Sequence, residues 1–189
     1  SGDMPLVSHQ KYYWNVTVWD ESGKECTPSV ASSFEMAKMN KADWKAQWIT
    51  DKNDKEFEPA PLFRKTFNAN KKVVSARAYI AGAGYFELFV NGQRVGENYL
   101  DPGYTHFDKR ILYVTHDITP LLVSGENAVG VVLGNGWYNI QSKAVWDFEK
   151  ARWRDRPRLL CEIRLTYSDG TTEAIASDDS WKTTTGPYT

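Results

Sequence analysis

Cysteine is nearly absent from this chain: Cys26 and Cys161 are the only two in 189 residues, and neither has a CxxC partner or a histidine cluster beside it. Neither a zinc site nor a disulfide framework is signalled, so two free or buried thiols are expected. Histidine is almost as scarce. His9, His106 and His116 read as surface residues, and without a GxSxG elbow they give no support to a Ser/His/Asp hydrolase centre. No apolar run reaches the length of a membrane-spanning helix. The formal charge of -1 leaves no basic footprint for nucleic acid or an anionic membrane surface, so both partners are set aside. The N-terminal SGDMPLV has neither the basic nor the apolar region of a secretory signal, and Ser1 and Gly2 read as a cloning remnant, so this end says nothing about compartment. Gly82-Ala83-Gly84 lacks the GxxxxGK of a phosphate loop and opens into a strand, not a helix; close backbone packing is its expected role.

Aromatic residues, in contrast, are plentiful: 8 Trp, 10 Tyr and 8 Phe. They favour strands and also line sugar and peptide sites. Strand-like runs recur at 62–67, 73–81, 85–90, 110–115, 128–133, 158–167, 171–176 and 181–184, with turns between them. That pattern predicts an all-β fold, a jelly-roll-like antiparallel β-sandwich. Asn91-Gly92 predicts a type I′ hairpin, and Ser168-Asp169-Gly170 makes the same case. Asp117 is placed to cap a single helical turn through Leu122. Upstream, 12–19 and 31–36 read as a hairpin too small to stand alone, and 43–49 as an anchoring lead-in strand. The division expected is a short unit at 1–37 and the sandwich at 38–189.

Carboxylates at Asp101, Asp108, Asp147, Glu149 and Asp155 fall in loops, as a glycosidase pair would require, but 24 acidic residues place some near one another by number alone. A sugar site has a better physical basis. A pyranose lays its C–H face on an aromatic ring while its hydroxyls pair with carboxylates and amides. The candidates gather in three loops: Glu97, Asn98 and Asp101; then Asn135, Trp137, Tyr138 and Asn139; then Trp146 and Trp153. Glu97, Asn98 and Asn139 also offer the oxygen ligands that calcium takes.

The motifs KAQWI, LFRKTF, ARAYIAGAGYFELFVNGQRVG, LDPGYTHFDKRILYVTHDITPLL, GENAVGVVLGNGWY, PRLLCEIRLTYSDG and SDDSWKTTTGP, in this order, resemble the N-terminal β-sandwich domain of bacterial α-L-rhamnosidases. The run covers about four-fifths of the chain, from Trp44 to Thr189. Ahead of it, YYWNVTVWDESGKECTPSVASSFEMA resembles the last strands of a fibronectin type III domain. The resemblance implies a secreted or periplasmic, inverting glycoside hydrolase whose chemistry resides in an (α/α)-barrel elsewhere in the polypeptide. This region would then be a non-catalytic module binding rhamnose-containing oligosaccharides or glycosides. In some relatives a calcium ion contacts the sugar, and Glu97, Asn98 and Asn139 occupy the matching positions. The alternative is a purely structural domain packed on the catalytic domain.

Overall fold

The computed structural model describes residues 4–189, so the expected remnant at Ser1 and Gly2 lies outside the described residues. Two compact units are present, Ser1–Trp44 and Lys45–Thr189.

In the first unit, β1 (Lys11–Trp14) pairs antiparallel with β2 (Ser32–Glu35). Tyr12 stands opposite Phe34, with ring centroids 5.4 Å apart. The strand expected over 12–19 stops at Trp14. Beyond it the chain folds back on 24–29 by scattered bonds: the Val16 and Val18 carbonyls accept the Ser29 and Cys26 N–H groups, Trp19 bridges to Glu25, and the Asp20 carboxylate accepts the N–H groups of Ser22 and Lys24 at the turn. Asp43 accepts from the Met39 and Asn40 N–H groups and the Ser8 hydroxyl, fixing a 3₁₀ turn at Lys41–Asp43.

In the second unit every strand pairing is antiparallel. Nine strands follow in chain order: β3 (Pro61–Ala69), β4 (Val73–Ala83), β5 (Tyr85–Val90), β6 (Gln93–Arg94), β7 (Val114–Asp117), β8 (Gly125–Gly134), β9 (Arg158–Tyr167), β10 (Thr172–Ala176) and β11 (Lys182–Thr185). One sheet has the order β10-β9-β4-β7, the other β11-β3-β8-β5-β6. Alternate residues of both sheets meet in one core: Phe63 and Phe67, Ile80, Leu88, Val131 and Leu133, Ile163 and Leu165 are all buried. This period-two burial is what a sandwich requires. The expected all-β sandwich is thus the observed fold.

Its two outer faces differ. The four-stranded sheet is covered by the chain from Lys45 onward: the Lys45 and Ala46 N–H groups donate to the buried Glu162, Gln47 bonds to Ser177, and Ile49 bridges to Leu159. The expected lead-in strand is therefore an extended strap with one bridge, because side-chain and scattered backbone acceptors take its N–H groups. Over the five-stranded sheet no such strap lies among the described residues.

The turns sharpen the sequence reading. Asn91 and Gly92 take φ of 50° and 80°, as a type I′ hairpin needs. At 168–170 only Gly170 has positive φ, since Asp169 bonds the Thr171 N–H and the Lys71 ammonium and holds an ordinary turn. Asp117 accepts the Thr119 N–H at the start of the 3₁₀ turn Thr119–Leu121, as expected. The strand expected over 110–115 begins only at Val114, because the Lys109 and Arg110 N–H groups turn back to the His106 carbonyl. Gly84, at φ 113°, would put a Cβ 2.2 Å from the Gly134 carbonyl oxygen, which accounts for the Gly-Ala-Gly stretch by close approach.

Candidate functional site

Two long connections leave the same end of the sandwich. One runs from β6 to β7, the other from β8 to β9, and Gly134 at the end of β8 pairs with Tyr85 beside the Phe86–Asp101 bridge. The first connection is fixed by Arg94: its guanidinium donates to the Gly96 and Asn98 carbonyls and lies 4.2 Å from the Tyr99 ring. The Phe86 N–H then donates to the Asp101 carbonyl at 2.9 Å. The second is tied down by Arg154, which forms a two-pronged bond to Glu56 and donates to the Ile140 carbonyl, and by Arg156. Arg156 binds Asp51 through two nitrogens and also reaches the carbonyls of Phe57 and Pro59.

Between these anchors the aromatic residues of all three candidate loops meet. Tyr104 stacks on Phe148 at 6.0 Å and meets Trp137 edge-on at 6.5 Å. Phe107 packs edge-on against Tyr138 at 5.4 Å and Trp153 at 6.1 Å. Phe148 is the hub, touching Trp137, Trp146 and Trp153 with centroids 5.7–5.8 Å away. Tyr138 and Trp153 thus form the base of the cluster. Tyr104, Trp137 and Trp146 face solvent, Trp146 with 79% of its surface exposed. Trp146 and the following Asp147 take φ of 68° and 53°, a left-handed backbone that costs non-glycine residues of order 1–3 kcal/mol. Sequence reading named the three loops but did not single out Tyr104, Phe107 or Phe148. Their signal was the run of aromatics in those same loops.

The polar candidates separate into two groups. Glu97 is exposed, and Asn98 donates to the Asp101 carboxylate at 3.1 Å. Asn135 and Asn139 are buried: Asn135 donates to the Glu58 carbonyl, and Asn139 to the Lys55 carbonyl and to Asn135 Oδ1. These two amides hold the 55–58 segment against the second loop. Asn139 Oδ1 is buried without a hydrogen-bond partner. Among the described residues no group of three His, Cys, Asp or Glu side chains is placed to hold a metal ion. Of the expected calcium shell of Glu97, Asn98 and Asn139, the Asn139 Nδ2 serves the interior and the Asn98 Nδ2 is turned to Asp101.

The loop carboxylates each take a neighbour: Asp108 meets His106, Asp147 meets Lys150, and Asp155 meets Arg158. The Glu149 carboxylate accepts the Ala144 N–H. His116, expected at the surface, is half-buried with its ring edge-on to Phe86 at 6.4 Å and Nε2 unpartnered. Burial lowers its pKa, against a weaker upward pull from Asp101. Tyr138 is pushed up, chiefly by burial in the cluster. Cys161 is buried and free, its thiol pushed up to about 12 by desolvation, while Cys26 is exposed and free.

Residues 71–189 match the family model of the α-L-rhamnosidase N-terminal domain. The chain belongs to the α-L-rhamnosidase N-terminal domain family. Residues 2–40 match a second model, the Rha78A-like N-terminal immunoglobulin domain. An α-L-rhamnosidase of Formosa agariphila is 38% identical, its match covering 96% of this chain and 22% of the relative; one of Alteromonas sp. is 34% identical over 96% of this chain and 20% of the relative. The rhamnosidase N-terminal domain therefore spans about a fifth of the length of the curated relatives it matches. Solved α-L-rhamnosidase structures agree. That from Dictyoglumus thermophilum has 40% identity and a TM-score of 0.85, covering 96% of this chain and 21% of its own. The Aspergillus terreus enzyme gives 35% and 0.86, covering 97% and 22%. The Streptomyces avermitilis enzyme complexed with L-rhamnose, at 19% identity and TM-score 0.86 over 97% of this chain and 34% of its own, shares the fold.

Proposed function

We propose that this domain is a non-catalytic carbohydrate-binding accessory module of an extracellular or periplasmic α-L-rhamnosidase, with rhamnose-containing glycans as its ligands. The supporting observation is the aromatic cluster at one end of the sandwich, built from the two long connections and topped by the exposed rings of Tyr104, Trp137 and Trp146. A 6-deoxy sugar presents a methyl group and an apolar ring face, and both pack favourably on such rings. Asn98, Asp101 and Glu97 are the polar groups assigned to its hydroxyls. Hydrolysis, taken as inverting, is assigned to a catalytic domain in the remainder of the polypeptide.

Titration calorimetry of the chain with L-rhamnose and aryl rhamnosides, with and without calcium, tests the proposal. Saturable heat is expected at millimolar sugar, equal in the two conditions, and Trp146→Ala is expected to remove it. Absence of heat in both conditions would refute the sugar site. Cleavage of an aryl rhamnoside by residues 1–189 alone would refute the non-catalytic assignment.

A further inference from the structure

His116 stands in β7, paired with Ala78 of β4, and its ring is wedged beneath the first of the two long connections. On one side the imidazole meets Phe86 edge-on at 6.4 Å, and the N–H of the same Phe86 donates to the Asp101 carbonyl. On the other side it lies against Gly96. A Cβ on that glycine, whose φ is 77°, would come within 3.0 Å of the ring's Cε1 and 3.3 Å of its Nδ1. The segment from Gly96 to Asp101 is therefore laid over the imidazole. Arg94 fastens one end by donating to the Gly96 carbonyl at 2.9 Å, and Phe86 fastens the other. Glu97, Asn98 and Asp101, the polar groups assigned to the sugar, all ride on this segment.

Inside its seat Nε2 is buried and has no hydrogen-bond partner. A neutral ring can leave that nitrogen as a bare lone pair; an imidazolium cannot, since both of its nitrogens donate. A buried cationic N–H with no acceptor is costly. The charged groups on the surrounding elements are already engaged or turned away. Glu87 of β5 faces Arg94 of β6 at 3.5 Å, and Asp117 of β7 pairs with Arg77 of β4 at 2.8 Å. On the connection itself Glu97 is exposed, and the Asp101 carboxylate accepts from Asn98. Asp101 pulls the proton affinity of the ring upward, and burial outweighs it. A charged ring gains water by swinging outward, and Gly96 stands in contact with it on that path.

We propose that His116 is a proton-sensing wedge beneath the sugar-binding connection: once charged, it lifts the 96–101 segment and withdraws Glu97, Asn98 and Asp101 from the aromatic cluster, so that sugar is held in neutral solution and released in acid. This rests on the sugar-site reading and adds the control of that site. Sugar and proton favour different states of one segment, so each weakens the binding of the other by the same factor. The ring titrates below its ordinary 6.5, and the transition therefore lies on the acid side of that value.

Two measurements on residues 1–189 test it. Hydrogen exchange needs no sugar. Protection of the Phe86 amide, which donates to the Asp101 carbonyl, is expected to fall severalfold from pH 7.5 to 5 after correction for intrinsic rates, while the Asn91 amide, which donates to the Ala128 carbonyl, keeps its protection. Calorimetry with an aryl rhamnoside is the second. The dissociation constant is expected to rise severalfold over the same range for the native chain and to stay constant for His116→Gln and His116→Phe. Near pH 6, heats measured in buffers of unequal ionisation enthalpy are expected to show proton release on sugar binding, absent from both variants. Phe86 protection that ignores pH would overturn the wedge. So would an acid loss of affinity that persists in both variants, which assigns it to the carboxylates of Glu97 or Asp101. Absence of heat at every pH refutes the sugar site, and exchange then decides the wedge by itself; heat of unchanging affinity refutes the control and spares the site.

Discussion

Arg156 is the side chain on which the most separate pieces depend. It is buried, as is Asp51, their side chains retaining 3% and 7% of their exposure, and its guanidinium also satisfies two carbonyls of the 57–59 segment. Burying this pair cost desolvation, so the pair itself adds little net stability, but breaking it leaves a charge with no partner. Arg156→Ala is expected to destabilise the sandwich by about 3–5 kcal/mol, read as a shift of the urea midpoint. His116 acts in the opposite sense to a paired histidine. Burial depresses its folded pKa below the unfolded value of 6.5, so the folded state binds the proton less well than the unfolded one. The neutral ring's contribution is complete above pH 6.5 and is lost as pH falls from there toward the depressed folded value. Urea midpoints between pH 7.5 and 5 are expected to fall for the native chain and to stay flat for His116→Gln. A flat native profile would remove the assignment. The window lies above the range where carboxylates such as Asp51 and Asp117 contribute.

At the scale of strands and loops, what could be read from residues alone was whatever obeys a short period or a local steric rule. The alternation in β5, β8 and β9, the Asn91-Gly92 hairpin and the close approach at Gly84 are of this kind, since each is decided by residues within a few positions. The strap at 45–50 was not legible, because its N–H groups bond to Glu162 and Ser177, more than a hundred positions away. Neither was the inward role of Asn135 and Asn139, which depends on the carbonyls of Lys55 and Glu58. The loops were named from their aromatic content, while their convergence and the choice of Trp146 as outer ring and Trp153 as inner ring required three dimensions. Glycines give sharp tests here. Gly84→Ala is expected to cost more than the ~1–3 kcal/mol of backbone strain alone, because its methyl also meets the Gly134 carbonyl. Gly130→Ala is expected to raise the stability of residues 1–189 by about 0.5–1 kcal/mol, since the fold has room for it. In the third loop, Trp146→Gly relieves a left-handed backbone at an exposed position. The thermal midpoint is expected to hold or rise while sugar heat disappears; a fall in both would mean that Trp146 is structural.

For the molecule as a whole, both sheets of the sandwich are drawn entirely from residues 61–185. Residues 45–189 alone are therefore expected to retain the cooperative unfolding transition and the near-ultraviolet dichroism of the sandwich, and a chain cut at Lys45 that melts without a transition would contradict this. Membership in the rhamnosidase family was legible in the order of motifs along the chain. The anchoring of 45–60 has one more consequence, for how the protein is made. Lys45, Gln47, Ile49 and Asp51 take partners at Glu162, Ser177, Leu159 and Arg156, and β3 takes one side of its pairing from β11. During synthesis the strap therefore emerges from the ribosome with nothing to bind until more than a hundred further residues have followed. Long-range pairing of this sort folds slowly, and the unpaired edges it leaves are open to aggregation in the interval. A nascent chain halted before Arg156 carries the strap but none of its receptors, and a chaperone has a defined stretch to cover until they arrive.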